Sequence, residues 1–71
     1  MVKPTLVTNT IRIRREEAGM TQAELAARIG VTRQTLIAIE QGKYSPTLEI
    51  AFQIARAFGM PLEDLFQYPE A

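Results

Sequence analysis

The side chains in this sequence best suited to chemistry are its cations, and they are unevenly placed. Through Lys43 there are seven basic residues (Lys3, Arg12, Arg14, Arg15, Arg28, Arg33 and Lys43) against Glu16, Glu17, Glu24 and Glu40, a net charge of +3. The remainder sets Arg56 against Glu49, Glu63, Asp64 and Glu70, a net −3. The formal total of zero argues against indiscriminate binding of polyanions, yet one half is suited to meet phosphate while the other avoids it. The usual catalysts are missing. With no His and no Cys, common zinc sites and imidazole or thiol chemistry are excluded. Glu16 and Glu17 are adjacent carboxylates, but neighbours on a helix point about 100° apart, so they form a charged face rather than a catalytic pair. No glycine-rich phosphate loop is present. The sequence therefore predicts a binding protein, not an enzyme, with no cofactor and no metal.

The elements that must position these cations are short. At 71 residues the chain has room for one domain with a modest core. Its 46% apolar and 23% charged composition is that of a chain that folds. Without disulfides, stability must come from packing, shared with a second copy if one is present. No apolar run approaches the roughly 20 residues of a membrane helix, and the N-terminus has no secretory signal, so the expectation is a cytoplasmic protein with no membrane partner.

Cap and stop residues divide the chain into five helices. The first is predicted to begin near Thr8 or Asn9 and stop at Gly19, with Ile11 and Ala18 on a shared face and Arg15 between them. The second opens on the capping box Thr21-Gln22-Ala23-Glu24 and ends at Gly30. Helix three runs from a Thr32 cap to a stop at Gly42, and a Lys43–Pro46 loop follows. Helix four starts at Thr47, carries a stripe of Leu48, Ala51, Ile54, Ala55 and Phe58, and closes at Gly59. A last short helix spans Leu62 to about Phe66 behind Pro61. The expected organisation is an arm over 1–7, a domain over 8–68 and a tail over 69–71.

The stretch Gln22–Gln41, QAELAARIGVTRQTLIAIEQ, holds the most specific pattern. It reads as two helices joined by a tight turn at Gly30-Val31-Thr32. Leu25, Ile29, Leu36 and Ile39 point inward, Ala26 sits where the helices cross, and Gly30 supplies the conformation of a sharp turn. This stretch resembles the Cro/CI-type helix-turn-helix of the XRE family of regulators. The likeness extends from about Thr8 to Phe66 through Arg15-Glu16-Glu17, Met20–Ala26, Gly30–Gln34, Ile39–Lys43 and Pro46-Thr47-Leu48. Family members often have an apolar residue where this chain has Arg14, and extra residues precede the first helix.

The resemblance implies an all-α, five-helix, phage-repressor-like DNA-binding domain whose motif helices cover about 22–41. It places the second motif helix in the major groove, N-terminal residues toward the bases. Those residues are Arg33, able to pair with guanine O6 and N7, and Gln34, able to pair with adenine N6 and N7. Ile37, one turn on, either meets a thymine methyl or completes the core. Gln22, at the positive end of a helix dipole, suits a phosphate, as do Lys43 and Tyr44. Thr32 either touches the backbone or only caps its helix. A partly buried Arg15–Glu40 pair tying helix one to helix three is likewise implied by the resemblance.

Specific reading by so small a module normally takes two-fold dimers, so the expected partners are double-stranded DNA and a second copy. The expected homodimer uses the acidic half, through Phe52, Leu62, Phe66 and Tyr68; the alternative folds Phe52 and Phe66 back onto helix one. The function expected is a transcriptional regulator acting as a repressor. The competing reading is an antitoxin or protein-interaction module with a toxin or other protein partner.

Overall fold

Three helices begin on a threonine whose hydroxyl accepts the backbone N–H three residues on. Thr21 accepts from Glu24 and opens α2 (Gln22–Ile29), Thr32 accepts from Thr35 and opens α3 (Arg33–Glu40), and Thr47 accepts from Ile50 and opens α4 (Leu48–Phe58). Each bond satisfies an amide that the first helical turn would otherwise leave unpaired. At the start of α2 the bond is returned, because Glu24 Oε1 accepts from the Thr21 N–H at 2.9 Å. Two more helices, α1 (Ile11–Glu17) and α5 (Leu62–Leu65), complete the set in this computed structural model, which describes residues 5–43 and 45–69. The described residues are mostly helical, with five helices among them in the expected order.

Every helix contributes to one core. The fully buried large side chains are Ile11 of α1, Leu25 of α2, Leu36 and Ile39 of α3, Ile54 of α4 and Leu65 of α5. Each such burial stabilises the fold by roughly 1.5–3 kcal/mol relative to exposure. Ala26 is also buried, and its carbonyl accepts from the Val31 N–H at 3.0 Å just past the αL residue Gly30, whose φ is 75°. That left-handed turn is one a Cβ would strain. The expected two-helix unit is therefore α2, a tight turn and α3, joined by Leu25, Ile29, Leu36 and Ile39.

The structure departs from the sequence expectations in four places. Thr8 and Asn9 do not begin a helix; they form strand β1 (Thr8–Asn9), paired antiparallel with β2 (Phe66–Gln67), with Asn9 opposite Phe66. Phe66 is accordingly in β2 rather than at the end of α5, so the five helices are joined by a small two-stranded sheet. Leu48 is 70% exposed, because it starts α4 at an end that projects beyond the core. Ala18 is exposed as well, since α1 ends at Glu17 and the Ile11 face is not continued to it.

Asn9 has a part in both ends of this arrangement. Its side-chain oxygen accepts from the Ile11 N–H at 3.2 Å, and its amide donates to the Ile39 carbonyl at 2.9 Å. Thr10 reinforces the join, its N–H donating to the Leu65 carbonyl at 2.9 Å. Among the described residues no helix is long and apolar enough to cross a membrane.

Candidate nucleic-acid interface

The first turn of α3 stands clear of the body. Thr32, Arg33 and Gln34 are exposed, whereas Leu36 and Ile39 on the opposite side of the helix are buried. Arg33, Ile37 and Gln41 follow one another at four-residue steps and line one wall of an open groove; Gln22 and Arg12 line the same groove from α2 and α1. Ile37 is half-buried there, outside the central core cluster. Gln34 does not line the groove. Gln41 was not singled out from sequence, although its position two helical turns after Arg33 carried the signal.

Behind the groove lies an ion pair. Arg15 Nε donates to Glu40 Oε2 at 3.0 Å and Arg15 Nη2 to Glu40 Oε1 at 3.3 Å, a two-pronged contact between side chains only 11% and 5% exposed. Arg15 Nη1 also donates to the Met20 carbonyl at 3.0 Å, so one guanidinium fixes α1, the turn before α2 and the end of α3. Such fork-to-carboxylate geometry is the strong form of the ion pair. Gln22 Nε2 donates to Glu40 Oε1 at 3.5 Å, and Arg33 Nη2 donates to Gln22 Oε1 at 3.5 Å. Among the described residues Arg33 pairs with no carboxylate. The exposed pairs Arg12–Glu16 and Arg14–Glu17, at 3.3 and 3.4 Å, are of the kind that stabilises little.

The other positions singled out from sequence are dispersed. The Thr32 hydroxyl is occupied at its own helix start, accepting from the Thr35 N–H at 3.1 Å and bonding the Thr35 hydroxyl at 2.9 Å. Lys43 is exposed just beyond α3, its backbone N–H donating to the Ala38 carbonyl. Tyr44 lies outside the described residues. Of the candidates for a dimer contact, Phe52 is 55% and Tyr68 68% exposed. Leu62 and Phe66 are half-buried and packed against the core, so of the four aromatic and aliphatic candidates, two are partly absorbed within the chain.

A projecting helix with cationic and amide side chains at its tip, held on a second helix by a tight turn, is the geometry of a groove-reading unit. A helix-turn-helix family profile matches residues 11–65, covering all five helices. The chain belongs to the XRE family of helix-turn-helix proteins. This helix-turn-helix protein is 60% identical over 57 residues to an HTH-type transcriptional regulator of Methanothermobacter thermautotrophicus, covering 79% of this chain and 83% of the relative. A Methanocaldococcus jannaschii HTH-type transcriptional regulator is 48% identical over 62 residues, covering 87% and 94%. The cryptic phage CTXphi transcriptional repressor RstR of Vibrio cholerae is 37% identical over 60 residues, covering 84% and 54%. Among solved structures, the clp gene regulator ClgR of Corynebacterium glutamicum superposes with a TM-score of 0.71 at 28% identity, covering 76% of this chain and 57% of that one. The helix-turn-helix protein is thus a DNA-binding transcriptional regulator rather than an enzyme, and its partner is double-stranded DNA.

Proposed function

We propose that this regulator is a cytoplasmic repressor that reads a two-fold operator as a homodimer, with α3 of each copy in the major groove. The observation that carries the reading is the exposed first turn of α3 on a helix whose other face is locked into the core. Arg33 pairs with a guanine, Gln34 with an adenine, and Ile37 meets a thymine methyl. Gln22, Thr32, Lys43 and Tyr44 contact phosphates and set the register without reading sequence. The acidic half turns away from the duplex and carries the dimer contact through Phe52, Leu62, Phe66 and Tyr68. Residues 8–68 are the binding domain, with an arm over 1–7 and a tail over 69–71. The repressor assignment draws on the likeness to RstR, and a dimer lying across a promoter blocks polymerase sterically.

Selection of bound duplexes from a randomised library, followed by salt titration on the selected site, tests this. The expected result is a two-fold sequence with half-sites about 34 Å apart and affinity that falls with salt. A protein that selects no sequence but co-purifies with one stoichiometric protein would be an antitoxin or interaction module instead.

A further inference from the structure

The outer face of α4 exposes Leu48, Glu49, Phe52, Gln53 and Arg56, and an open groove runs along each side of it. The groove toward α2 is cationic, lined by Arg28, Gln53, Arg56 and Ala57. The groove toward α5 is largely apolar, rimmed by Phe52, Met60, Pro61 and Leu62. We infer that α4 of a second copy lies antiparallel across this face, its Glu49 in the cationic groove and its Leu48 in the apolar one, with the same two contacts made in return. This rests on the homodimer proposed above and deepens it, naming the helix, its register and the charge pair that selects the partner.

The charges on this face have no partners within the chain. Among the described residues Arg28, Glu49 and Arg56 make no ion pair, unlike Arg12, Arg14 and Arg15. Helical spacing offers Arg28 a carboxylate in Glu24, four residues earlier, but Glu24 Oε1 is turned to the Thr21 N–H at 2.9 Å. Arg56 has no acidic residue three or four positions away on either side. Glu49 and Arg56 stand on one line of α4, because seven residues are nearly two turns, yet they lie about 10 Å apart along its axis. That distance is too great for them to pair with each other in one chain.

A two-fold axis supplies the missing partners. When the axis is level with the Phe52–Gln53 peptide, Glu49 and Arg56 are equally far from it on opposite sides, so Glu49 of each copy meets Arg56 of the other. Isologous contacts have this form, in which residue i meets j and j meets i. The same arrangement brings the two copies of Phe52 together. Leu48 and Glu49 point about 100° apart at the start of α4, which matches two grooves flanking the facing helix. Leu48, 70% exposed in the single chain, thereby gains an apolar surrounding. An exposed ion pair by itself stabilises little. Its effect here is selection, since like charges set against each other across the axis cost far more than the pair gains.

Sedimentation of Glu49→Arg, of Arg56→Glu and of their equimolar mixture, at micromolar concentration, tests the register. Each variant alone sets like charges together at both ends of the helix pair, and its dimerisation should weaken at least about a hundredfold. Mixed, the two restore opposite charges at both ends and should form a 1:1 heterodimer with an affinity near that of wild type. Wild type that is monomeric at every concentration removes the homodimer and this inference together. Wild type and both single variants that dimerise equally leave the homodimer on another face and overturn the α4 register, as does a mixture that stays monomeric. An Arg56→Glu protein that stays dimeric but loses affinity for every duplex would make the cationic groove a phosphate contact, and overturns the register too. Should either variant fail to fold alone, differently tagged copies made in one cell decide. Recovery of the mixed pair in preference to either like pair supports the register, and recovery without preference overturns it.

Discussion

The Asn9 side-chain amide donates to the Ile39 carbonyl across 2.9 Å, fastening the segment before α1 to the last turn of α3. The same side chain accepts the Ile11 N–H, so one residue ties the first amide of α1 to the last turn of α3. Asn9→Ala should lower stability by ~1–2 kcal/mol, the net worth of two part-buried side-chain hydrogen bonds. Asn9→Asp separates the two, because aspartate can accept from Ile11 but cannot donate to Ile39. Urea unfolding should rank wild type above Asp and Asp above Ala; equal stability of all three would leave Asn9 without a bracing role.

How legible such features were in the sequence depended on how local their causes are. The threonine caps at Thr21, Thr32 and Thr47 act over three residues, and each was readable from its own neighbourhood. Thr8–Asn9 carried cap-forming residue types, but what fixes them is a pairing with Phe66–Gln67 at the other end of the chain, which outweighs local preference. Leu48 had the correct helical spacing for the buried stripe, and only the position of the neighbouring helices left it uncovered. The exposure of Arg33 and Gln34 was legible from their place after a capped turn. The Gln22 contacts to Glu40 and Arg33 were not, since they cross from one helix to another.

The Arg15–Glu40 pair should behave as a coupled unit. Both side chains are nearly buried, so removing either partner leaves a charge without its counterpart, a loss typically of ~3–5 kcal/mol. Thermal or urea unfolding of Arg15→Ala, Glu40→Ala and the double variant should show the second substitution costing far less than the first. Additive losses would mean that the two contribute independently.

Glu24 gives the acid side of the stability profile a specific shape. The Thr21 backbone N–H, and second the Thr21 hydroxyl, hold its carboxyl below the usual range. A carboxylate whose native pKa is depressed stabilises the fold above its unfolded pKa, near 4.3, and loses that contribution as pH falls through the lower native value. Wild-type stability should therefore drop more steeply than that of Glu24→Gln below about pH 4.3, where the unfolded carboxyl begins to protonate first. Parallel profiles for the two proteins would remove Glu24 from the acid response.

Arg33 and Lys43 should weaken DNA binding in different ways. Arg33→Ala is expected to cost ~1–3 kcal/mol on the selected operator and to relax preference at one base position. Lys43→Ala should weaken binding nearly uniformly across sequences and reduce the magnitude of the salt slope by about one unit, as for one phosphate contact. Salt titrations on matched and altered duplexes separate the two patterns. A uniform loss in Arg33→Ala would remove its base-reading role, and an unchanged slope would make Lys43 a bystander.

The dimer prediction turns on which apolar side chains the monomer fails to cover. Phe66 and Leu62 already pack against the core, so a charge at either would damage the fold itself and say little about association. Phe52 and Tyr68 are mostly exposed, and Phe52 borders a groove with Met60, Pro61 and Leu62, giving an apolar rim at the acidic end of the chain. Aromatic residues at such a rim are well suited to an interface centre. Pairing there leaves α3 of both copies free to face one side of the duplex. Phe52→Glu and Tyr68→Glu should therefore leave the unfolding midpoint of the monomer nearly unchanged while shifting light scattering at micromolar concentration from dimer mass to monomer mass. Operator binding should then become weaker and lose its two-fold cooperativity, while contacts within a single half-site are retained. Wild type that stays monomeric at every concentration, with scattering identical to both variants, would take the dimer contact away from this face.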